Sequence, residues 1–201
     1  AFLGWSPKSA DREILSLEEI SEIFDLSEIN KAGAKFSWEK LNWINAQYIK
    51  NMESIKLMEI LRKYWDDHGW EPPSQEWANK LAILIRDSMT LLKDSIDQSK
   101  PFFLIPKIQK EGQDFLENRE SKLSLKLILN YLIEQNTIKL NKEKAKEIIN
   151  EISKKHNIKK GILMKSLRVA FFGSLSGPDL IQSWELFAES KTDRTRIERC
   201  L

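Results

Sequence analysis

Apolar residues recur every three or four positions along most of this chain, the spacing of one helical face rather than the alternation of a strand. The first such stretch, 16–24, opens with Ser16 and Glu19, a capping-box pair, and Leu17, Ile20 and Phe24 follow on one face. Leu41, Ile44 and Tyr48 predict a second helix over 38–49, and Met58, Leu61 and Trp65 a third over 55–65. Pro72 and Pro73 push the residues before them out of helical dihedrals, so the chain breaks at 71–74, and Ser74 is placed to cap the next helix. That helix is expected over 75–94, with Trp77, Leu81, Leu84, Ser88, Leu91 and Leu92 on or near one face. Pro101 and Pro106 bracket a short apolar run, and 99–106 is read as a second break and a subdomain boundary.

Beyond it, helices are expected at 107–117, 122–134, 142–156, 161–172, 178–189 and 193–200. The segment 161–173 mixes β-branched and aromatic residues as a buried strand would. Its length, and the i, i+4 pairing of Leu163 with Leu167 and of Leu167 with Phe171, favour helix. Pro178, after Ser176 and Gly177, stands where proline is best tolerated, at the first helical position. There is no repeat of solenoid period and no low-complexity tract. The predicted fold class is all-α.

Composition narrows the setting. One cysteine in 201 residues forms no internal disulfide and no cysteine-rich zinc site, so the chain reads as intracellular and stabilised by burial alone. No apolar run approaches the roughly 20 residues of a membrane span, and the first residues lack the pattern of a signal peptide. A cytoplasmic monomer without membrane contact is expected, and its opening residues read as a piece of a longer chain. The net charge of +2 conceals an asymmetry: residues 1–100 carry 13 basic and 17 acidic side chains, residues 101–201 carry 19 and 13. Ten Lys or Arg lie between Lys139 and Arg168 against Glu143, Glu147 and Glu151. Such a segment attracts phosphate through counterion release, although a lysine-rich helix face is also ordinary solvated surface.

Catalytic patterns are missing. His68 and His156 have no Cys, His or Asp at zinc spacing, and Cys200, on what reads as a frayed end, makes a poor nucleophile. Neither a phosphate-binding glycine loop nor a nucleophile elbow occurs, and Asp66 and Asp67, being adjacent, do not face a common point on a helix.

Two stretches carry a resemblance. LGWSP at 3–7, with SLEEISEIFDL at 16–26 and INKAGAKFSWEKLNWINAQYI at 29–49, and KKGILMKSLRVAFFGSLSGPDL at 159–180, resemble in order and separation the C-terminal part of bacterial-type glutamyl-tRNA synthetases. The resemblance implies a helical stem-contact region over 1–70, then a two-part helical anticodon-binding domain over 71–201. It implies tRNA(Glu) as partner, and ATP with magnesium as cofactors of a parent enzyme. The HIGH-like and KMSKS-like motifs of class I synthetases do not occur here, so no cofactor and no aminoacylation are expected of this chain alone.

The resemblance also assigns residues. Arg168, in SLRVAFFG, stands where the family places an arginine that meets the anticodon, and its planar fork makes bidentate contacts that Lys cannot; an ion pair tying two helices is the alternative. Gly177, Pro178 and Leu180 follow the family's loop and helix start, with Leu180 equally readable as core. Lys165, one turn before Arg168, is a candidate phosphate contact, whereas Phe171 and Phe172 read as core. Arg86 aligns with an arginine-containing helix. Some members that reject the glutamine tRNA carry a second arginine at the position of Ser88, so a serine there leaves room for tRNA(Gln). Lys40 and Asn45 are candidate stem contacts, beside Trp43 and Tyr48 as packing residues. A helical protein-interaction adaptor without an RNA role is the competing reading, and it requires an exposed apolar groove and scattered positive charge.

Overall fold

The computed structural model describes residues 4–5, 14–29, 35–135 and 139–201. Among them the chain forms eleven α-helices and no strand: α1 Leu17–Ile23, α2 Trp38–Asn51, α3 Ser54–Asp67, α4 Gln75–Arg86, α5 Ser95–Phe103, α6 Lys110–Leu116, α7 Arg119–Glu134, α8 Lys142–His156, α9 Lys160–Phe172, α10 Leu180–Glu189 and α11 Asp193–Glu198. The expected all-α class is what is found.

Local chemistry sets most helix starts. Ser16 Oγ accepts the Glu19 amide at 3.1 Å while Glu19 Oε2 accepts the Ser16 amide at 2.7 Å, which closes the expected capping box. Ser74 Oγ takes the Trp77 amide at 3.1 Å and starts α4 after the proline pair, also as expected. Asn141 and Asp179 cap α8 and α10 in the same way.

The helix expected over 75–94 is in fact two elements with a turn between them. α4 stops at Arg86; Ser88 Oγ donates to the Ile85 carbonyl at 2.6 Å, and the Asp94 carboxylate collects the amides of Thr90 and Leu91 at 2.9 and 2.7 Å. These side-chain bonds compete with the helical ladder and re-aim the chain. The break expected over 99–106 is helical as far as Phe103, with Pro101 inside α5, and the chain leaves the helix at Leu104. Its two phenylalanines anchor the core. Phe102 stacks on Phe187 at 5.0 Å, and Phe103 lies against Trp65, Trp70 and Trp77. A continuous buried cluster then runs from Ile49 in α2 to Cys200. By contrast, the apolar stripes of α1 and α2 stay largely open: Leu17 is 77% exposed, and Leu41 and Tyr48 are close to half exposed.

The C-terminal turn locks the bundle. Arg196 is 1% exposed with no carboxylate partner among the described residues. It donates instead to the carbonyls of Phe171 and Leu104 and to Thr192 Oγ1, and it lies 4.2 Å over the Phe187 ring. Burial lowers its pKa to about 10, with the nearby Arg199 charge adding to the effect, so it stays charged at neutral pH. Arg199 bonds the carbonyls of Pro106 and Ala170, and Arg194 that of Leu132. Cations thus meet the carbonyl-rich ends of α5, α7 and α9, where the helix dipole favours them. Cys200, read from sequence as sitting on a frayed end, is 7% exposed, and burial pushes its thiol pKa up, away from nucleophilic use.

Candidate nucleic-acid interface

α9 builds the site from its apolar stripe outward. Leu163, Leu167, Val169, Ala170 and Phe171 are buried, so the helix has one face left for solvent, and Lys165 and Arg168 occupy it. Gly173 ends the helix in the left-handed region at φ 72°, its amide donating to Val169 at 2.9 Å. A Cβ there would stand 2.2 Å from the Lys107 carbonyl oxygen, so the close approach needs glycine. The loop beyond it is fastened by Ser174 Oγ donating to the Ser176 carbonyl at 2.8 Å, and by Glu111 accepting the Leu175 amide at 3.3 Å. Gly177, at φ 153°, lies on the Phe172 ring, which a Cβ would meet at 2.7 Å.

This loop brings Gly177 and Pro178 back to Arg168, whose Nη1 donates to both of their carbonyls at 3.0 Å. The guanidinium is half-buried and, among the described residues, makes no ion pair and sends no bond from Nε or Nη2. The anchored nitrogen fixes the plane of the fork, and the edge made by Nε and Nη2 remains for an outside acceptor. Lys165 is exposed one turn earlier. Leu180, by contrast, is 1% exposed and is a core side chain here. The helix start expected at Pro178 falls two residues later, because Asp179 caps it by accepting the Gln182 amide at 2.9 Å.

The remaining candidates lie on other elements. Arg86 ends α4 half-buried, with Asp87 Oδ1 at 3.8 Å and its buried Nε without a hydrogen-bond partner, and Ser88 is exposed in the following turn. Lys40 is exposed on α2. Asn45 is turned to internal use, as its Nδ2 donates to the Thr90 carbonyl at 2.5 Å and ties α2 to the turn beyond α4. Trp43 is 44% exposed, and the Tyr48 hydroxyl donates to the Leu15 carbonyl at 2.6 Å.

One contact had no local signature in the sequence. Lys80 of α4 reaches Glu185 and Glu189 of α10 at 3.2 and 2.6 Å, and Glu76 at 3.3 Å. Burial opposes its charge, yet the hydrogen bonds to Glu189 and Glu185 outweigh that and hold the ammonium above the ordinary lysine range. Because more than a hundred residues separate the partners, only the fold reveals the clamp. It fastens the helix that ends in Arg86 to the helix that begins beyond Pro178.

Among the described residues no group of His, Cys, Asp or Glu is placed to hold a metal ion, and no helix is long and apolar enough to cross a membrane.

The fold and this surface define an all-helical domain that presents an anchored arginine beside a short loop. The chain belongs to the family described as "Anticodon binding domain", whose model matches residues 56–201. It is 95% identical over 201 residues to the glutamate–tRNA ligase of Prochlorococcus marinus (strain AS9601) and 45% identical over 199 residues to that of strain NATL2A. In both cases it spans 42% of the relative's length. The crystal structure of a glutamate tRNA ligase from Elizabethkingia meningosepticum CCUG26117, in complex with its amino acid, superposes with TM-score 0.90 at 28% identity. That match covers 98% of this chain and 38% of that one.

Proposed function

We propose that this chain is the tRNA-reading end of a glutamate–tRNA ligase, holding the anticodon arm while the rest of the enzyme attaches glutamate to the acceptor end. The observation that carries the reading is Arg168, fixed by the carbonyls of Gly177 and Pro178 through Nη1, with Nε and Nη2 bonded to no described residue. Unpaired anticodon bases expose hydrogen-bonding edges that such a fork matches, and lysines such as Lys165 suit the phosphates between them. Leu180 contributes from within, packing the start of α10 so that the Gly177–Pro178 loop keeps its place. Arg86 and Ser88 face the third anticodon base, and Lys40 and Asn45 belong to the side that meets the stem.

We assign residues 1–70 to stem contact and 71–201 to the anticodon. The cognate partner is tRNA(Glu), and Ser88 leaves tRNA(Gln) as a second one. ATP and magnesium belong to the remaining length of the parent, since neither nucleotide motif of the class occurs here. The working state is a monomer in the cytoplasm.

The test is filter binding of tRNA(Glu), and of the same tRNA with a substituted anticodon, to the full-length protein. The reading predicts weaker binding of the substituted tRNA, and equal binding of both overturns it.

A further inference from the structure

From Ile152 to Pro178 the chain carries five lysines and one arginine and no acidic residue. Four of those lysines, Lys154, Lys155, Lys159 and Lys160, are exposed and gather at the corner where α8 gives way to α9. The backbone of this corner is tightly determined. Asn157 adopts the left-handed conformation at φ 53°, and its amide donates to the Ser153 carbonyl. The Ile158 amide reaches the same carbonyl at 3.1 Å, and Ser153 Oγ donates back to the Ile158 carbonyl at 2.7 Å. Ile158 itself is 3% exposed and pins the turn to the core. The four ammonium groups therefore project from a fixed base, and none of them has an ion-pair partner among the described residues. Lys80 and Lys144, by contrast, are both paired.

Helix stability accounts for half of this cluster. Lys154 and Lys155 stand in the last turn of α8, where the dipole favours cations. Lys159 and Lys160 stand at the start of α9, whose first turn holds no acidic residue, and there the dipole disfavours them. Charge kept uncompensated at an unfavourable place implies an anionic partner from outside. The cluster is also continuous with the face that carries Arg168. Lys160, Lys165 and Arg168 follow one another along α9, and at 1.5 Å per residue the track from Lys160 to Arg168 is about 12 Å long.

We propose that the α8–α9 corner is a second RNA contact, a phosphate clamp in which Lys154, Lys155, Lys159 and Lys160 hold the sugar–phosphate backbone of the RNA whose bases meet Arg168. It rests on the RNA-binding reading above. Contacts of this kind position a nucleic acid without reading its sequence, and each neutralised phosphate releases counterions.

The variant K154A/K155A/K159A/K160A of the full-length protein separates the two ideas. Binding of tRNA(Glu) and of its anticodon-substituted form is measured across a salt series of about 50 to 200 mM. For the variant, the slope of log affinity against log salt falls by about 2 to 3 units. Affinity at the lowest salt falls on the order of a hundredfold or more for both RNAs alike, and the ratio between them stays that of the wild type. The variant with Arg at the same four positions keeps the wild-type slope. A variant slope equal to that of the wild type, with discrimination intact, overturns the clamp and leaves the anticodon reading standing. A wild-type protein that does not discriminate overturns the anticodon reading instead. If the Arg variant also loses the slope, the effect is not one of charge and the clamp is withdrawn.

Discussion

The guanidinium of Arg168 is fastened to the carbonyl of Pro178 at 3.0 Å, ten positions along the chain, and to that of Gly177 at the same distance. The arginine thus has an inward task and, on the proposed reading, an outward one, and the two are separable. Arg168→Lys keeps a donor for the carbonyls but loses the fork, while Arg168→Ala loses both. Both variants are expected to bind tRNA(Glu) more weakly by about 1 to 3 kcal/mol. In urea denaturation, Arg168→Ala alone is expected to lose stability, by about 0.5 to 1.5 kcal/mol per hydrogen bond removed. Wild-type affinity in Arg168→Lys would confine the residue to its inward task.

Gly173 holds the turn from which that loop departs. Alanine there adds a Cβ 2.2 Å from the Lys107 carbonyl oxygen, at a φ of 72° that side chains rarely adopt. The obstacle is backbone rather than a flexible side chain, so relief requires moving the segment that also gives the Gln109 amide to the Gly173 carbonyl at 2.7 Å. Gly173→Ala is expected to cost about 2 to 4 kcal/mol in denaturant unfolding. Gly161→Ala, where nothing lies within 4 Å of the added Cβ, is the matched control and should be neutral or stabilising.

Much of this arrangement is legible in the sequence because it is local. Ser16 with Glu19, Ser74 after its prolines, and the apolar stripe of α9 depend on neighbours within one or two turns, and all appear where their spacing puts them. The failures have distant or competing causes. The helix expected over 75–94 ends early because Asp94 captures two amides that periodicity alone assigns to a helix. Pro101 marks no break because the phenylalanines beside it find partners on α3, α4 and α10, and that packing holds the last turn of α5 despite the amide proline lacks. Leu180 is readable either way from its spacing, and only the packing of α10 settles its burial. Nothing near Lys80 in the sequence points to Glu185 or Glu189, and nothing near Cys200 shows that Arg196 of α11 and Arg199 just beyond it hold the C-terminal turn in place.

Asp193 links pH to stability. It is 7% exposed and lines a cavity of about 450 Å³ with Lys139, Lys191 and Arg194, and burial raises its pKa above the ordinary aspartate value. The folded state therefore keeps this proton to higher pH than the unfolded state, whose aspartates titrate near pH 4. Between those two values the folded state binds more protons, so this group's contribution falls as pH rises and stays lost above the folded pKa. Asp193→Asn is neutral throughout and lacks that fall. Relative to the wild type, it should gain stability between pH 4 and pH 7 in chemical denaturation. A variant whose pH profile parallels the wild type would remove Asp193 as the cause.

On the proposed reading, Ser88 bears on which tRNAs are accepted. It is exposed in the turn after α4, where its hydroxyl bonds only the Ile85 carbonyl at 2.6 Å, so a longer side chain there meets solvent rather than core. The Lys80 clamp ties α4 to α10, and an arginine at 88 would project from the helix end that Arg86 already occupies. On the proposed reading, Ser88→Arg supplies the second fork that some members rejecting tRNA(Gln) carry. In the full-length protein it should lower charging of tRNA(Gln) relative to tRNA(Glu) by about 1 to 3 kcal/mol, roughly fivefold to 150-fold in the ratio of kcat/KM. Folding stability should move by no more than about 0.5 kcal/mol, as for other exposed substitutions. The comparison needs both tRNAs assayed with both proteins. A wild type that charges no tRNA(Gln) would remove the premise, and a variant that charges both as the wild type does would show that position 88 does not meet the third anticodon base.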